Sequence, residues 1–149
     1  MDQKVIDKLI NNLDWSLPKN TQEKSINSLI SINDEKLHML VQPIAKSHWE
    51  NASIVIKHIG YPRIKNIIPT LLIWLQDVNW PGALTILDVL AQIDKKNIIK
   101  QLEQTLITAK NDEDYMWIGG LKRLIEKTDI NANDFSSKEI FNIIELADW

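Results

Sequence analysis

The residues of this chain best suited to chemistry are carboxylates grouped with aromatic rings. Asp77 precedes Asn79 and Trp80, and Asp112, Glu113 and Asp114 precede Tyr115 and Trp117. Carboxyls from two such groups, with Trp80 and Tyr115 beside them, are the raw material of a hydrolase or glycosylase, in which one acid donates a proton and another acts as base or nucleophile. Other reactive types are scarce. The chain has no cysteine, which removes disulfides, thiolate metal ligands and a cysteine nucleophile. His38, His48 and His58 recur at a spacing of ten, whereas two ligands on one helix face need a spacing of three or four. No metal site and no cofactor are expected. The glycine loops that cradle phosphates, the nucleophile elbow and the H-E-x-x-H pair are all missing from the sequence.

A second reading of the carboxylates competes with catalysis. Asp and Glu at helix starts accept free backbone N–H groups and complement the helix dipole. Asp112 to Asp114 fall where such caps belong, so no catalytic residue is assigned and a hydrolase is the lowest-ranked expectation.

The elements that would position these residues follow from composition and periodicity. A chain of 149 residues, 44% hydrophobic and 25% charged, is expected to be one globular domain over residues 1–149. Only 4 Gly and 5 Pro leave little room for long irregular loops. No apolar run approaches the roughly 18 residues of a membrane span, and the polar start Met1-Asp2-Gln3-Lys4 is unlike a signal peptide. The expected location is the cytoplasm, with no membrane partner. A net charge of −3 argues against a general nucleic-acid binder, whose footprint is basic.

One local motif recurs: Trp49-Glu50-Asn51-Ala52, Trp80-Pro81-Gly82-Ala83 and Trp117-Ile118-Gly119-Gly120. An offset of 31 residues relates the first two copies and also maps Lys65-Asn66-Ile67-Ile68 onto Lys96-Asn97-Ile98-Ile99. Self-similarity at such a period is the mark of stacked repeats. Apolar residues recur at helical spacing almost throughout, so each repeat reads as a pair of helices. The expected fold is all-α, a HEAT-like stack of about three helical hairpins with flanking N- and C-terminal helices.

In detail, a first helix is expected over Gln3–Leu13, and a second after Pro18, with Asn20 as N-cap and Glu23 three residues on. A helix from Asp34 to Ala45 carries Leu37, Leu40, Val41 and Ile44. Ser47-His48-Trp49-Glu50 matches a capping box, and Gly60 a helix C′ position. Pro69 requires either a kink or a helix starting near Ile68. Asn79 is expected to cap the next helix, with Pro81 in its first turn. Ser136-Ser137-Lys138-Glu139 offers a further capping box. The tryptophans are expected to pack against the preceding helices, and Gly119-Gly120 to permit close approach of a neighbouring helix.

The run Trp74-Leu75-Gln76-Asp77-Val78-Asn79-Trp80-Pro81-Gly82-Ala83, with Leu17-Pro18-Lys19 upstream and Tyr115-Met116-Trp117-Ile118-Gly119 downstream, resembles a family of small bacterial proteins of unknown function. The resemblance implies an all-helical, HEAT-like stack and supplies no catalytic residues.

In a hairpin stack, one edge would gather Asp77, Asn79, Asp112, Glu113, Asp114 and Tyr115, with Trp80 and Trp117 just inside and Lys46, His48 and Lys110 diluting the acid. The other edge would gather Tyr61, Arg63, Lys65, Lys95 and Lys96, diluted by Asp94. Aromatic anchors with a charged surround suit an interface. The leading expectation is therefore a non-catalytic protein-binding module, such as a bacterial immunity or adaptor protein that masks a partner with a basic surface. Nucleic-acid binding through Arg63, Lys65, Lys95 and Lys96 is the alternative.

Overall fold

The computed structural model describes residues 1–148. Among them every regular element is an α-helix or a 3-10 helix, and no strand occurs. The chain divides into two compact units: Met1–Ile67 with Asn79–Ile86, and Ile68–Val78 with the chain from Leu87 onward.

The first unit is built on α1 (Gln3–Asn11), α2 (Lys19–Leu29) and α3 (Lys46–Ile59), which pack on one another. Asp2 caps α1 by accepting the Val5 N–H at 3.0 Å, and Ile6, Ile10 and Leu13 enter the core. Pro18, not Asn20, is the residue before α2. Its carbonyl accepts the first helical bonds from Thr21 and Gln22, so Asn20 falls inside the first turn. Asn51 supplies a buried polar tie. Its Nδ2 donates to the Leu13 carbonyl at 2.7 Å and to Gln22 Oε1 at 2.8 Å, joining α3 to the end of α1 and to α2.

The expected helix over Asp34–Ala45 is not formed. A 3-10 helix covers Asp34–Leu40, and the chain then runs on with Gln42 and Ile44 at φ 45° and 52°. Leu37 and Leu40 are buried, but Ile44 is 64% exposed. A β-branched residue at positive φ carries a steric cost, so the sequence gives no local reason for this turn. The capping box at Ser47 is also absent. Ala45 holds the cap position in an extended conformation, and Ser47 Oγ instead lies 3.1 Å from His48 Nδ1. At the other end of α3, Gly60 takes φ 68°, as its C′ role requires.

The second unit contains α4 (Ile68–Ile73) with a 3-10 turn at Trp74–Gln76, α6 (Ile99–Asn111), α7 (Tyr115–Glu126) and α8 (Lys138–Phe141). Pro69 sits in the first turn of α4, the second of the two alternatives its position allowed. α5 (Ala83–Ala91), of which residues 83–86 belong to the first unit and 87–91 to the second, starts only after Gly82 at φ 82°. Asn79 and Pro81 therefore lie ahead of the helix, which begins later than expected. α6 packs on α4, α7 and α8, and α7 packs on the 3-10 turn at Trp74–Gln76. The last helix is short and continues as a 3-10 segment, Asn142–Leu146. Its cap is Ser137, which accepts the Ile140 N–H, so Glu139 is one residue out of register for the expected box. A reciprocal capping box does form at Asn131 and Asp134.

Two contacts fix α7. A Cβ placed on Gly120 would overlap the Leu75 carbonyl oxygen, so only glycine lets α7 come this close. The indole N–H of buried Trp117 donates to the Leu72 carbonyl at 3.0 Å. The close-packing role expected of Gly120 is thus observed.

Candidate functional site

The eight candidate residues divide between the units. Asn79 and Trp80 belong to the first, and Asp77, Asp112, Glu113, Asp114, Tyr115 and Trp117 to the second. In the first unit Trp80 meets Trp49 edge-on, with ring centroids 5.7 Å apart and an interplanar angle of 81°. Trp49 donates its indole N–H to the Pro43 carbonyl at 3.1 Å. Both rings are half-buried and pack on each other, a pairing that the expected packing against preceding helices did not include, while Asn79 is exposed.

In the second unit Asp77 is half-buried and follows directly on the 3-10 turn Trp74–Gln76. The acidic run between α6 and α7 is tighter than an open loop. Asp112 ends α6, Glu113 takes φ 54°, and the N–H groups of Glu113 and Asp114 return to the carbonyls of Lys110 and Ala109 at 3.0 and 2.9 Å. This bond pair is a Schellman closure, with glutamate in the left-handed position that glycine ordinarily fills. Asp114 then caps α7, accepting the Trp117 N–H at 3.1 Å.

The expectation that all three acids are N-caps is corrected accordingly, since only Asp114 caps. Asp112 and Glu113 stand at the C-terminal end of α6, where the helix dipole is negative and disfavours acids. Both are exposed, and neither side chain makes a hydrogen bond or ion pair among the described residues. Tyr115 and Met116 beside them are 40% and 49% exposed. Trp117 is committed to the core through Leu72, so its part in any site is limited to the edge of its ring.

That ring contributes to a groove of about 240 Å³ that no motif in the chain announces. Pro69 and Ile73 come from α4, and Gln101, Gln104, Thr105 and Thr108 from α6. The two threonine hydroxyls donate back to the carbonyls of Gln101 and Gln104 at 2.7 and 3.0 Å, so they are satisfied within α6. The nearest signal in the sequence was the polar face of α6, where a Gln/Thr stripe replaces the usual charges.

The basic residues are largely occupied. Arg63 donates to Asp34 at 2.7 Å and to the Ile30 and Ile32 carbonyls at 2.9 and 2.7 Å. In the other unit Lys95 lies 3.2 Å from Asp134 and 3.7 Å from Asp129. The hydrogen bond to Asp134 raises the Lys95 pKa, while the Asn131 N–H, and after it Lys95, hold the Asp134 carboxyl below the usual range. Lys96 lies within 3.9 Å of Asp94.

His48 is buried, His38 and His58 are exposed, and no cluster of metal-ligating side chains occurs among the described residues. No helix among the described residues is long and apolar enough to cross a membrane. No curated protein and no solved structure matches the chain. Residues 45–145 match a family described as a domain of unknown function (DUF5071), and the chain belongs to that family.

Proposed function

We propose that the chain is a non-catalytic protein-binding module, a HEAT-like arrangement of helical hairpins whose acidic corner at Asp112 and Glu113 meets a basic partner. In its concrete form it is a cytoplasmic bacterial immunity or adaptor protein that masks such a partner. The pairing of consecutive helices, α1 with α2, α2 with α3 and α6 with α7, supports the hairpin arrangement.

The observation that carries the functional reading is the placement of Glu113. It holds a left-handed conformation suited to glycine, at a helix end that disfavours acid, and its side chain makes no hydrogen bond or ion pair among the described residues. A residue that works against the fold locally is expected to work for something else. Exposed Tyr115 and Met116 give the neighbouring apolar contact that an interface needs. Catalysis by these acids is the weaker reading, because Asp112 and Glu113 stand in solvent, and tuning a carboxyl for proton transfer requires burial or a close charge. The nucleic-acid reading loses two of its four cations, since Arg63 and Lys95 are held by Asp34, Asp134 and Asp129.

The test is capture from the native cell with the wild-type chain and with the double variant Asp112→Lys, Glu113→Lys, leaving the Asp114 cap in place. The expected result is a basic protein that the wild type retains and the double variant loses. Equal capture by both would overturn the acidic corner as the binding surface.

A further inference from the structure

The groove between α4 and α6 and the acidic corner share one face of α6. At 100° per residue, Gln101, Thr105 and Thr108 lie within about 60° of one another around the helix, and Asp112 falls in the middle of that span. The α6 wall of the groove thus shares its helix face with a carboxylate one turn beyond Thr108.

The size of the groove decides what it can take. About 240 Å³ is below the range of roughly 300–1,000 Å³ typical of sites for cofactor- or drug-sized ligands. It is ample for one large apolar side chain, since a cavity of about 150 Å³ holds a benzene ring. The walls offer no charge. Pro69, Ile73 and Trp117 are apolar, and the threonine hydroxyls are already bonded within α6. The side-chain amides of Gln101 and Gln104 line the groove and donate to nothing among the described residues, which leaves them available to a partner's backbone carbonyls.

Resting on the protein-binding reading above, we propose that this groove seats one leucine-sized or aromatic side chain from an extended segment of the partner, with a Lys or Arg a few residues away pairing with Asp112. Recognition is then a two-part code, an apolar anchor and a neighbouring cation. The apolar part supplies affinity by leaving water, and the ion pair fixes direction along α6.

The experiment pans the folded full-length chain against a phage library of random dodecapeptides, then measures the enriched peptides by fluorescence anisotropy. Enrichment of an apolar residue two to four positions from a Lys or Arg is expected. Thr108→Trp, at an exposed helical position, fills the groove without adding a charge one turn from Asp112 and is expected to weaken these peptides at least tenfold. Asp112→Lys is expected to abolish the preference for the cation while sparing part of the apolar contribution. Peptides that are merely basic, weakened by Asp112→Lys and indifferent to Thr108→Trp, would overturn the groove and leave the acidic corner standing. Peptides indifferent to both variants, or no enrichment at all, would overturn both. Unchanged helical circular dichroism in each variant ties the losses to the surface.

Discussion

Gly120 in α7 faces the main-chain carbonyl of Leu75 so closely that no side chain can stand between them. The obstacle is backbone and cannot swing aside as the tip of a flexible side chain would. Gly120→Ala gains about 1 kcal/mol in helix propensity, but the overlap forces α7 away from the turn at Trp74–Gln76, at about 3 kcal/mol or more. Urea denaturation followed by circular dichroism is expected to show a net loss of about 2 kcal/mol or more. A neutral or stabilising result would mean that α7 slides at little cost.

Arg63 is a structural residue. Its guanidinium satisfies the Ile30 and Ile32 carbonyls at the end of α2 and the bend after it, besides pairing with Asp34. Asp34 is more than half exposed, so the ion pair adds little, and the two carbonyl bonds matter more. A lysine cannot reproduce the planar fork. Arg63→Lys is therefore expected to cost about 1–2 kcal/mol in thermal or urea unfolding. The same variant should leave duplex-DNA titrations unchanged at moderate salt. Salt-dependent binding of duplex DNA by the wild type that Lys65→Glu weakens would restore the nucleic-acid reading.

The Lys95, Asp129 and Asp134 group makes stability depend on pH at both extremes. The folded Asp134 pKa lies below its unfolded value, so its contribution is present above about pH 4 and fades as acid protonates the folded carboxylate. The folded Lys95 pKa lies above its unfolded value, so its contribution is complete below about pH 10 and fades as pH rises through the folded pKa. The difference in melting temperature between wild type and Asp134→Asn is expected to be flat between about pH 5 and 9 and to shrink at both ends. A difference independent of pH down to strong acid would show that ionisation of Asp134 does not carry the effect.

Helical class and most helix positions were legible because the apolar residues are spaced for them. α1 (Gln3–Asn11) falls within the Gln3–Leu13 span that periodicity assigns to it, and α2 follows Pro18 as expected. The segment after Asp34 was misread because Leu37 and Leu40 are three apart, a spacing that α- and 3-10 helices share. The capping boxes failed for a different reason. Ser47 and Ser136 have the right partner three residues on, but Ala45 and Ser137 occupy the cap positions, and sequence spacing alone does not choose between neighbouring registers. The tryptophan motif marked three helix starts but not one geometry. Trp49 lies inside α3, Trp80 ahead of a glycine that delays α5, and Trp117 within the first turn of α7. The candidate site was legible as an acidic run with an aromatic residue. The turn that makes Glu113 unusual was not, because the bonds back to Lys110 and Ala109 appear only once α6 is folded to its end.

Glu113 offers the sharpest separation of stability from function. Glu113→Gly removes a side chain from φ 54° and an acid from the negative end of α6. Relief of the left-handed strain is worth about 1–2 kcal/mol, less about 0.5–1 for the greater freedom of glycine when unfolded, and removal of the misplaced charge adds about 0.3–1. The net expectation is a stabilisation of about 1 kcal/mol by urea denaturation. Glu113→Ala drops the charge but keeps the strain, so it should gain only the smaller, electrostatic part. Both variants lose the same carboxylate from the corner that is proposed to meet a cation. An exposed ion pair is worth up to about 1 kcal/mol, so both should weaken a basic peptide by at most about fivefold, and equally. Greater stability with weaker binding in Glu113→Gly, and weaker binding with little change in stability in Glu113→Ala, would together separate the two roles. If Glu113→Gly were more stable and bound equally well, the glutamate would have no part in recognition, and Asp112 would have to carry the charge alone.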